Sequence, residues 1–468
     1  MKTVAEAEPA AVHAADRRPR TAAIVNLGCK VNQSEMEAAA RLLREASVPL
    51  VDPDRRADLY LVNTCTVTAN ADEKSRAAVR RARRANPEAE IVVTGCSVQV
   101  GPAAFTAVDV AARLVRNDDK AAFLAELEGL LRIPGTDGSA GTPHGPIAAA
   151  LPTLSGVEAV AAATLDGVAD DRASVERTRA FVKVQDGCDR RCAYCIVPSA
   201  RSGMSSKPAA AALAEIKGLA AAGFGEIVLC GTRLGMYKCP DSGADLSGLM
   251  KLILERPGGF RIRFSSLEPG EISEGLAVVL AAGAERFCDY FHLPMQSGSD
   301  SVLKAMGRPY DSAGYLDKLR LLRRHFGTPG LYADIIAGYP TETDGQFAET
   351  LAFVRKCRLA GLHVFRFSGR PGTKACMLKP LSRKIVSGRA AALRAMDAEL
   401  RAAYAASMRG RVLRVLTLRN KEGGALGLAS NFLQVGFQGG SRPGSFVNAQ
   451  ITGILPGRGA CVCSGEPI

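Results

Sequence analysis

Residues 183–202 read KVQDGCDRRCAYCIVPSARS and place three cysteines, Cys188, Cys192 and Cys195, within a span of eight residues. We call these three cysteines the barrel trio, after the barrel that the surrounding sequence predicts. Alternating apolar residues just before them predict a β-strand, so the cysteines fall in the loop that follows it. Structural zinc sites usually close on four ligands, and no histidine lies nearby in the sequence. A 4Fe-4S cluster fits better, because three cysteines bind three irons and leave the fourth open to a substrate or cofactor. A chance cluster or another type of metal site is the alternative.

The cysteine loop belongs to a series of strand and helix patterns that extends over residues 179–408. Its six apolar segments are separated by helix-forming stretches and read FVKVQDG, EIVLCG, RIRFSS, YFHLPMQ, YADIIAGYP and HVFRFS. Six such units predict a partial (β/α)6 barrel of the TIM type. The chemistry of such barrels gathers at the carboxyl ends of the strands, and the barrel trio lies at such an end.

Residues 21–133 predict a smaller, parallel α/β domain. Its three apolar runs, AAIVNLGC, DLYLVNTC and EIVVTGC, end on Cys29, Cys65 and Cys96, the amino-terminal trio. The carboxyl ends of parallel strands share one edge of a sheet, so these three residues can meet there and form a second site with an open iron. The alternative is that each cysteine is a small buried apolar residue.

The rest of the chain divides into three segments of different composition. Residues 1–20 lack the apolar core of a signal peptide and are predicted to form a disordered tail. Residues 134–178 are rich in Gly, Ala, Pro and Ser, which predicts a flexible linker. Residues 409–468 contain short β-forming runs between glycine-rich turns, which predict a small antiparallel barrel. Within it, Cys461 and Cys463 are expected to lie in a frayed terminus without a function.

Charge and composition indicate a polyanionic partner and a reducing compartment. The 468 residues carry 60 Lys and Arg against 47 Asp and Glu, a net charge of +13, which favours a nucleic acid. With no Trp and 5% aromatic residues, a long channel of rings stacked on RNA bases is disfavoured, so contacts should rest on phosphates. The thirteen cysteines are an odd number, so they cannot all form pairs, and the sequence shows no export signal, which predicts a cytoplasmic protein. No stretch of about 18 apolar residues occurs, so no membrane partner is expected.

The segment DEKSRAAVRRARR predicts a helix with a stripe of arginines. Arg76, Arg80, Arg83 and Arg84 recur at helical spacing, and like charges this close destabilise an isolated helix. An RNA phosphate backbone would offset that repulsion, so these arginines are predicted to bind RNA. A solvated surface face is the alternative.

The spacing of the barrel trio resembles the signature of the radical S-adenosylmethionine superfamily. Other motifs resemble the methylthiotransferase family over nearly the whole chain, apart from the tail and linker: NLGCKVNQSE, NTCTVTANADEKSR, VTGC, SSLEP, HLPMQSGSDSVLKAMGRPY and ADIIAGYPTET. Within that family, GCKVNQSE together with NTCTVTANADEKSR is similar to the branch that modifies threonylcarbamoyladenosine in tRNA. The branch that modifies isopentenyladenosine more usually has GCQMN at the first cysteine.

The resemblance implies an α/β fold with an amino-terminal domain that carries an auxiliary cluster, a central radical barrel and a carboxyl-terminal TRAM barrel that binds RNA. The implied cofactors are two 4Fe-4S clusters and S-adenosylmethionine. The open iron at the barrel trio chelates the methionine part of the cofactor, and one electron cleaves it to a 5′-deoxyadenosyl radical. Sulfur bound at the amino-terminal trio is delivered to carbon 2 of the adenine, and a second S-adenosylmethionine supplies the methyl group.

Further cofactor contacts are expected near the ends of the barrel strands. Tyr194 occupies the aromatic position before the third cysteine, which in the superfamily contacts the adenine of the cofactor. Polar residues close to the other strand ends are also predicted to bind the cofactor, with strand-end capping as the alternative: Glu268, Gln296, Ser297 and Asp334. His292 and His363 are interpreted as core or rim histidines rather than ligands.

The predicted partners are a tRNA anticodon stem-loop, an electron donor and a sulfur source, and the protein itself is expected to be a monomer. The target adenine must leave its stack, which costs less in an anticodon loop than in a duplex. Two alternatives stay open. One is the same chemistry on isopentenyladenosine or on a ribosomal-protein aspartate, and the other is a non-catalytic iron–sulfur protein that binds RNA or passes electrons.

Overall fold

The computed structural model describes residues 19–131, 178–421, 424–455 and 462–468. The tail predicted for residues 1–20 and the linker predicted for residues 134–178 therefore lie almost entirely outside the described residues. No helix in the described part of the chain is long and apolar enough to cross a bilayer.

The amino-terminal domain is built on a four-stranded parallel sheet in the order β1-β2-β3-β4. Its strands are β1 (Ala22–Asn26), β2 (Leu59–Thr64), β3 (Glu90–Gly95) and β4 (Arg113–Val115). The first three were predicted from their apolar runs. The fourth was not, because three residues beginning with an arginine carry too little apolar pattern and gain order only by pairing with β3.

Helices cover both faces of this sheet and bury its apolar side chains. They are α1 (Lys30–Glu45), α2 (Ala69–Ala85), α3 (Cys96–Val100), α4 (Ala103–Thr106) and α5 (Lys120–Leu131). Helix α2 begins where the hydroxyl of Thr68 accepts a hydrogen bond of 3.1 Å from the Ala71 amide. Helices α1, α2 and α3 follow β1, β2 and β3 directly or after a short loop, so their beginnings lie along one edge of the sheet.

The central domain has six parallel strands that form a partial barrel, as predicted. They are β5 (Arg179–Asp186), β7 (Glu226–Gly231), β8 (Arg261–Phe264), β9 (Tyr290–His292), β10 (Gly330–Ala337) and β11 (Gly361–Arg366). Two sheets, β5-β7-β8 and β9-β10-β11, meet through a parallel bridge between Ser266 and His292. A two-residue strand, β6 (Ser205–Ser206), pairs antiparallel with β5.

The helices of the central domain alternate with its strands. Their bounds are Val197–Ala200, Ala209–Ala221, Leu246–Leu254, Glu274–Ala282, Asp300–Ala305, Ser312–Phe326, Asp344–Cys357 and Arg383–Ala406. On β7, Ile227 and Leu229 belong to the core shared with these helices, which turns Val228 and Cys230 toward the barrel interior. Helix α1 of the amino-terminal domain packs against β5 and β7 on that interior side.

The carboxyl-terminal domain is a closed five-stranded barrel in the order β12-β13-β14-β16-β15. Its strands are β12 (Val412–Lys421), β13 (Gly424–Ala429), β14 (Gln434–Phe437), β15 (Phe446–Leu455) and β16 (Val462–Pro467). A small barrel was predicted, and of the two cysteines assigned to a frayed terminus, Cys461 lies outside the described residues. The prediction was wrong for Cys463, which is fully buried in β16. This strand is held by parallel pairing with β14 and antiparallel pairing with β15.

A cluster of charges joins this barrel to the partial barrel of the central domain. The carboxylate of Glu226 pairs with Arg179, Arg261 and Arg263 at 2.7 to 2.9 Å, and Glu226 and Arg263 are fully buried. The guanidinium of Arg261 donates a 2.7 Å hydrogen bond to the carbonyl of Leu428 in β13. That of Arg263 donates to the next two carbonyls along the chain, those of Ala429 and Ser430. We call these four charged residues the Glu226 cluster.

Candidate functional site

The barrel trio lies in the loop after β5, at the carboxyl end of the strand, as the sequence predicted. Gly187 has a φ of +82° just before Cys188, and a β-carbon there would lie 1.9 Å from the carbonyl oxygen of Gly203. The amide of Cys195 donates a hydrogen bond of 3.0 Å to the carbonyl of Cys192, which folds the loop back on itself. The three thiols lie close enough that a negative charge on Cys192 raises the pKa of both Cys188 and Cys195.

Burial and mutual repulsion disfavour thiolates in this loop. Desolvation raises the pKa of Cys195 to about 12, and the negative charges of its two partner cysteines add to the shift. Burial likewise raises the pKa of Cys188. A metal cluster supplies the positive charge that such thiols need to ionise, so the donor set fits a metal centre.

The amino-terminal trio gathers at the carboxyl edge of the parallel sheet, also as predicted. Cys29 caps the beginning of α1, Cys65 directly follows β2, and Cys96 is the first residue of α3. Burial raises the pKa of Cys65 to about 11, and the charges of Cys96 and Cys29 contribute to that shift. Cys29 is the exposed member of this trio, while Cys65 is partly buried and Cys96 is buried.

Side chains from neighbouring strand ends hold this edge in place. The amide of Asn32 donates a hydrogen bond of 2.8 Å to the side-chain carbonyl of Asn63, and the thiol of Cys29 donates to Asn32 at 3.3 Å. Gly95 has a φ of +105°, and a β-carbon there would lie 2.4 Å from the carbonyl of Thr64. The sequence analysis missed Asn63, although an asparagine inside the apolar run LVNTC was a signal.

A single zinc ion and a four-iron cluster require different spacings of their sulfur ligands. A tetrahedral zinc with bonds of about 2.3 Å holds its sulfurs about 3.8 Å apart. In the described part of the chain, the only three potential ligands with atoms all within 4.8 Å of one another are His292, Asp334 and His363. Neither trio is that compact, whereas a four-iron cluster spreads its thiolates because each binds a different iron.

Charged contacts fix the amino-terminal domain against the central barrel close to both trios. The carboxylate of Glu35 on α1 lies 3.0 Å from Arg201 and 2.9 Å from Lys183, and Lys120 also pairs with it. Burial alone would raise the pKa of Glu35, but these three cations hold it well below its usual range. The amide of Asn117, near Cys96, donates a 2.8 Å bond to a barrel carbonyl.

A second connection runs from the loop after β11 to the amino-terminal trio. Arg370 forms an ion pair with Asp72 on α2 and donates a hydrogen bond of 2.9 Å to the hydroxyl of Thr66. The hydroxyl of Ser97 lies 2.6 Å from the Asp72 carboxylate and 2.7 Å from the carbonyl of Cys65. A single polar chain therefore links the barrel loop to a cysteine of the other domain.

Two of the predicted cofactor residues, Tyr194 and Glu268, share one arginine that the sequence analysis missed. Arg308 donates hydrogen bonds to the sulfur of Cys192 at 3.2 Å and to the hydroxyl of Tyr194 at 3.3 Å, and it forms an ion pair with Glu268. Glu268 also lies 3.1 Å from Arg190. Arg308 follows Gly307 in a turn sequence, and nothing in its local pattern indicates these contacts.

The other three predicted cofactor residues occupy different environments. Gln296 has a φ of +68°, and its backbone bridges to β10. The hydroxyl of Ser297 lies 3.1 Å from that of Thr350, so a packing contact accounts for its burial. Their roles at the cofactor stay predictions.

Asp334 lies inside the barrel between two imidazoles. Its carboxylate is 2.7 Å from Nε2 of His292 and 3.2 Å from Nδ1 of His363. Burial would raise the pKa of Asp334, but the two histidines hold it well below its usual range. The histidines therefore line the barrel interior against this carboxylate, and the ring of His363 stacks on that of Tyr332.

The arginine stripe on α2 divides into two environments. Arg80 and Arg84 are exposed and Arg76 is partly exposed, so their charges face solvent. Arg83 instead lies 2.9 Å from the carboxylate of Asp109 and donates to two backbone carbonyls at the end of the helix. An RNA contact stays a prediction for all four, with Arg83 the least available.

Comparison with known proteins adds independent findings. A model described as "Uncharacterized protein family UPF0004" matches residues 21–115, and the Radical SAM superfamily model matches residues 182–354. The threonylcarbamoyladenosine tRNA methylthiotransferase MtaB of Bacillus subtilis is 32% identical over 428 residues, 90% of either chain. The MtaB of Thermotoga maritima is 34% identical over 366 residues, 77% of either chain. A tRNA-2-methylthio-N(6)-dimethylallyladenosine synthase of Cereibacter sphaeroides is 30% identical over 444 residues, 92% of this chain and 96% of the relative.

A solved structure shares the fold. The radical S-adenosylmethionine methyltransferase TsrM of Kitasatospora setae, with cobalamin and a [4Fe-4S] cluster bound, superposes with a TM-score of 0.52 at 17% identity. The match covers 76% of this chain and 74% of that one. At this identity the likeness concerns the arrangement of an α/β domain and a radical barrel and no finer property.

Proposed function

Because the chain belongs to the radical S-adenosylmethionine tRNA methylthiotransferases, we propose that it adds a methylthio group to carbon 2 of threonylcarbamoyladenosine next to the tRNA anticodon. The observation that carries this proposal is the presence of two three-cysteine sites, each at the carboxyl end of parallel strands. Relatives named for this activity match across most of the chain. The motif GCKVN at Cys29 agrees with the same branch.

Each trio would hold one 4Fe-4S cluster. Bound there, the clusters and S-adenosylmethionine supply the radical and the sulfur that the reaction needs. The hydrogen on carbon 2 is bound to carbon and is not acidic, so no side-chain base on this chain could remove it. The residues of the chain instead bind and orient: Tyr194, Glu268, Gln296, Ser297 and Asp334 are proposed to contact the cofactor.

Arg308 is proposed to act as a positioning residue within this arrangement. It touches Cys192, Tyr194 and Glu268, so its rigid guanidinium ties the cysteine loop to the side chains proposed to bind the cofactor. The contacts of Arg370 and Asp72 in turn keep the amino-terminal trio fixed relative to the barrel loop. A target base between the two sites would then meet both in one orientation.

The tRNA would be bound mainly through its phosphates. The closed barrel β12–β16 is proposed to be a TRAM-like RNA-binding domain, since residues 409–468 carry seven Lys or Arg against two Glu. Exposed Arg80 and Arg84 on α2 are proposed to add contacts to the anticodon stem-loop, together with Arg76 and Arg83. The enzyme is proposed to work as a cytoplasmic monomer that takes electrons and sulfur from separate donors.

The test is mass spectrometry of nucleosides from bulk tRNA of a strain with and without this gene. Loss of 2-methylthio-threonylcarbamoyladenosine, with the unthiolated form rising, is the expected result. Loss of the methylthio-isopentenyl nucleoside instead would refute the substrate and keep the chemistry. If neither nucleoside changes, the target is not tRNA, and aspartate residues of ribosomal proteins become the substrate to examine.

A further inference from the structure

The turn before Arg308 packs directly on the cysteine loop of the barrel trio. Gly307 has a φ of +71°, and the amide of Ala193 in the cysteine loop donates a hydrogen bond of 2.9 Å to the carbonyl of Met306. The amide of Arg308 itself donates a hydrogen bond of 2.9 Å to the carbonyl of Leu303, which closes the turn. The backbone therefore holds the start of the Arg308 side chain next to the cysteine loop.

All three nitrogens of the Arg308 guanidinium have a partner. Nη1 donates to the sulfur of Cys192 at 3.2 Å and to the hydroxyl of Tyr194 at 3.3 Å. Nε donates to the hydroxyl of Tyr310 at 3.1 Å, and Nη2 forms an ion pair with Glu268. The side chain is only 2% exposed. A planar guanidinium held by four groups cannot rotate freely, so its N–H contact with Cys192 is fixed.

The contacts at the amino-terminal trio are of a different kind. The sulfur of Cys96 meets the neutral amide of Asn117, at the longer distance of 3.8 Å. Arg201 acts on the charge of Cys96 from further away, because its guanidinium donates to the carboxylates of Glu35 and Asp186 at 3.0 and 2.9 Å. Among the described side-chain contacts, a cation thus donates to a trio sulfur at the barrel trio and a neutral amide does so at the amino-terminal trio.

A hydrogen bond to a ligand sulfur changes how readily an iron–sulfur cluster accepts an electron. Reduction adds one negative charge, so an N–H group that faces the sulfur stabilises the reduced state more than the oxidised state. A buried cation acts more strongly than an exposed one, because water screens it less. The carboxylate of Glu268 does not cancel this effect, since it also lies 3.1 Å from Arg190 and the guanidinium of Arg308 is the group that contacts the sulfur.

We propose that Arg308 raises the reduction potential of the 4Fe-4S cluster at the barrel trio, so that an electron is accepted there before the amino-terminal trio. The electron would then reside at the site where S-adenosylmethionine is proposed to bind. In this step a one-electron donor is oxidised and the cluster at the barrel trio is reduced, with no bond made or broken. The inference rests on the proposed function, which implies two clusters, and goes beyond it by assigning the order of their reduction.

The experiment is a potentiometric titration of the full-length, anaerobically reconstituted enzyme without S-adenosylmethionine, followed by electron paramagnetic resonance. A variant with alanine at Cys29, Cys65 and Cys96 retains only the barrel trio and thereby assigns the two cluster signals. We expect the cluster at the barrel trio to have the higher midpoint potential in wild type. Arg308→Met should lower its equilibrium constant for reduction about tenfold or more, which is about 59 mV for a one-electron couple, and should change that of the other cluster by less than about twofold.

Arg190→Met is the matched control. It removes the same charge and the other cationic partner of Glu268, but the contacts of the Arg190 guanidinium are with the carboxylates of Glu268 and Glu271 and not with a sulfur. It should therefore lower the equilibrium constant for reduction of the cluster at the barrel trio by at most about threefold. A similar loss in both variants would mean that charge alone, and not the contact with Cys192, sets the potential, and would overturn the proposal.

A second measurement uses wild type and does not depend on a variant that keeps its iron. The protein is produced with arginine that carries the heavy nitrogen isotope at its guanidinium group only. Pulsed electron paramagnetic resonance of the reduced cluster at the barrel trio should then show a hyperfine coupling to this isotope, transmitted through the N–H contact with Cys192. Absence of the coupling would remove the hydrogen bond and the proposal with it, even if Arg308→Met lost its cluster.

The outcomes separate this proposal from the proposed function. If wild type binds iron at only one trio, or forms no 5′-deoxyadenosine after reduction, the proposed function fails. If wild type methylthiolates tRNA but the amino-terminal cluster is reduced first, or Arg308→Met leaves the potential of the barrel-trio cluster unchanged, the role of Arg308 fails and the function stands.

Discussion

Replacing Glu226 by glutamine should destabilise the junction between the radical barrel and the carboxyl-terminal barrel. The carboxylate is fully buried and pairs with Arg179, Arg261 and Arg263. Glutamine keeps the size of the side chain but removes the only negative charge among four groups. Two nearly inaccessible guanidinium groups would then remain without compensation, and breaking a buried pair in this way costs about 3–5 kcal/mol.

The size of the expected shift follows from the entropy of unfolding. Unfolding raises the entropy of a globular protein by about 2.1 cal/mol/K per residue. For the two barrels together, roughly 290 residues, a loss of about 3–5 kcal/mol lowers the midpoint temperature of unfolding by about 5–8 °C. The measurement is circular dichroism of the anaerobically reconstituted protein during heating. Asp317→Asn is the control, because Asp317 and Arg320 form an exposed pair that contributes about 0.2–1 kcal/mol at most.

Lowering the pH should reveal the contribution of Glu226 to the stability of the wild-type protein. Burial raises the pKa of Glu226, but Arg263 and Arg261 outweigh this effect and hold it well below its usual range. Its contribution is therefore fully present above the unfolded-state pKa of about 4.3 and is lost as pH falls below that value. Glu226→Gln should flatten this part of the stability profile. A midpoint change no larger than that of Asp317→Asn would refute the reasoning.

Three further perturbations test the site. Cys192→Ala should abolish formation of 5′-deoxyadenosine, whereas Cys65→Ala should keep it and lose only the methylthiolated nucleoside; product from the Cys65 variant would contradict the assignment of two clusters. Gly95→Ala should reduce the iron content at the amino-terminal trio, because its φ of +105° and the 2.4 Å approach to a carbonyl leave no room for a methyl group. Gly388→Ala serves as the control, since a β-carbon at Gly388 would meet open space. Arg80→Gln should lower the salt dependence of tRNA binding by about one unit of the logarithmic slope, and an unchanged slope would remove Arg80 from the interface.

The sequence was sufficient to predict those site residues that lie directly after the carboxyl ends of strands. Cys29, Cys65 and Cys96 each terminate an apolar run, and parallel strands bring such ends to one edge whatever the loops do. The same rule located the barrel trio, and the six strands of the central barrel followed from their apolar segments. Strand β16 was missed because it is a short segment with a glycine and a proline, and pairing with distant strands gives it order.

Contacts between residues far apart in the chain were not predictable in this way. Arg308 reaches Cys192 across 116 positions and Arg370 reaches Thr66 across 304, and both arginines stand in turn sequences without a periodic pattern. Single charged residues carry no local signal of their partners, because the partner is chosen by the tertiary fold.

The packing of α1 also explains how a barrel of six strands can serve this chemistry. Six parallel strands leave an open side, and without α1 the apolar interior around Phe181, Val228 and Cys230 would face water. The amino-terminal domain covers that surface with Val31 of α1, and Cys29 lies at the beginning of the same helix. The burial that stabilises the domain junction thus brings the two three-cysteine sites to one space, so separating the domains should cost stability and activity together.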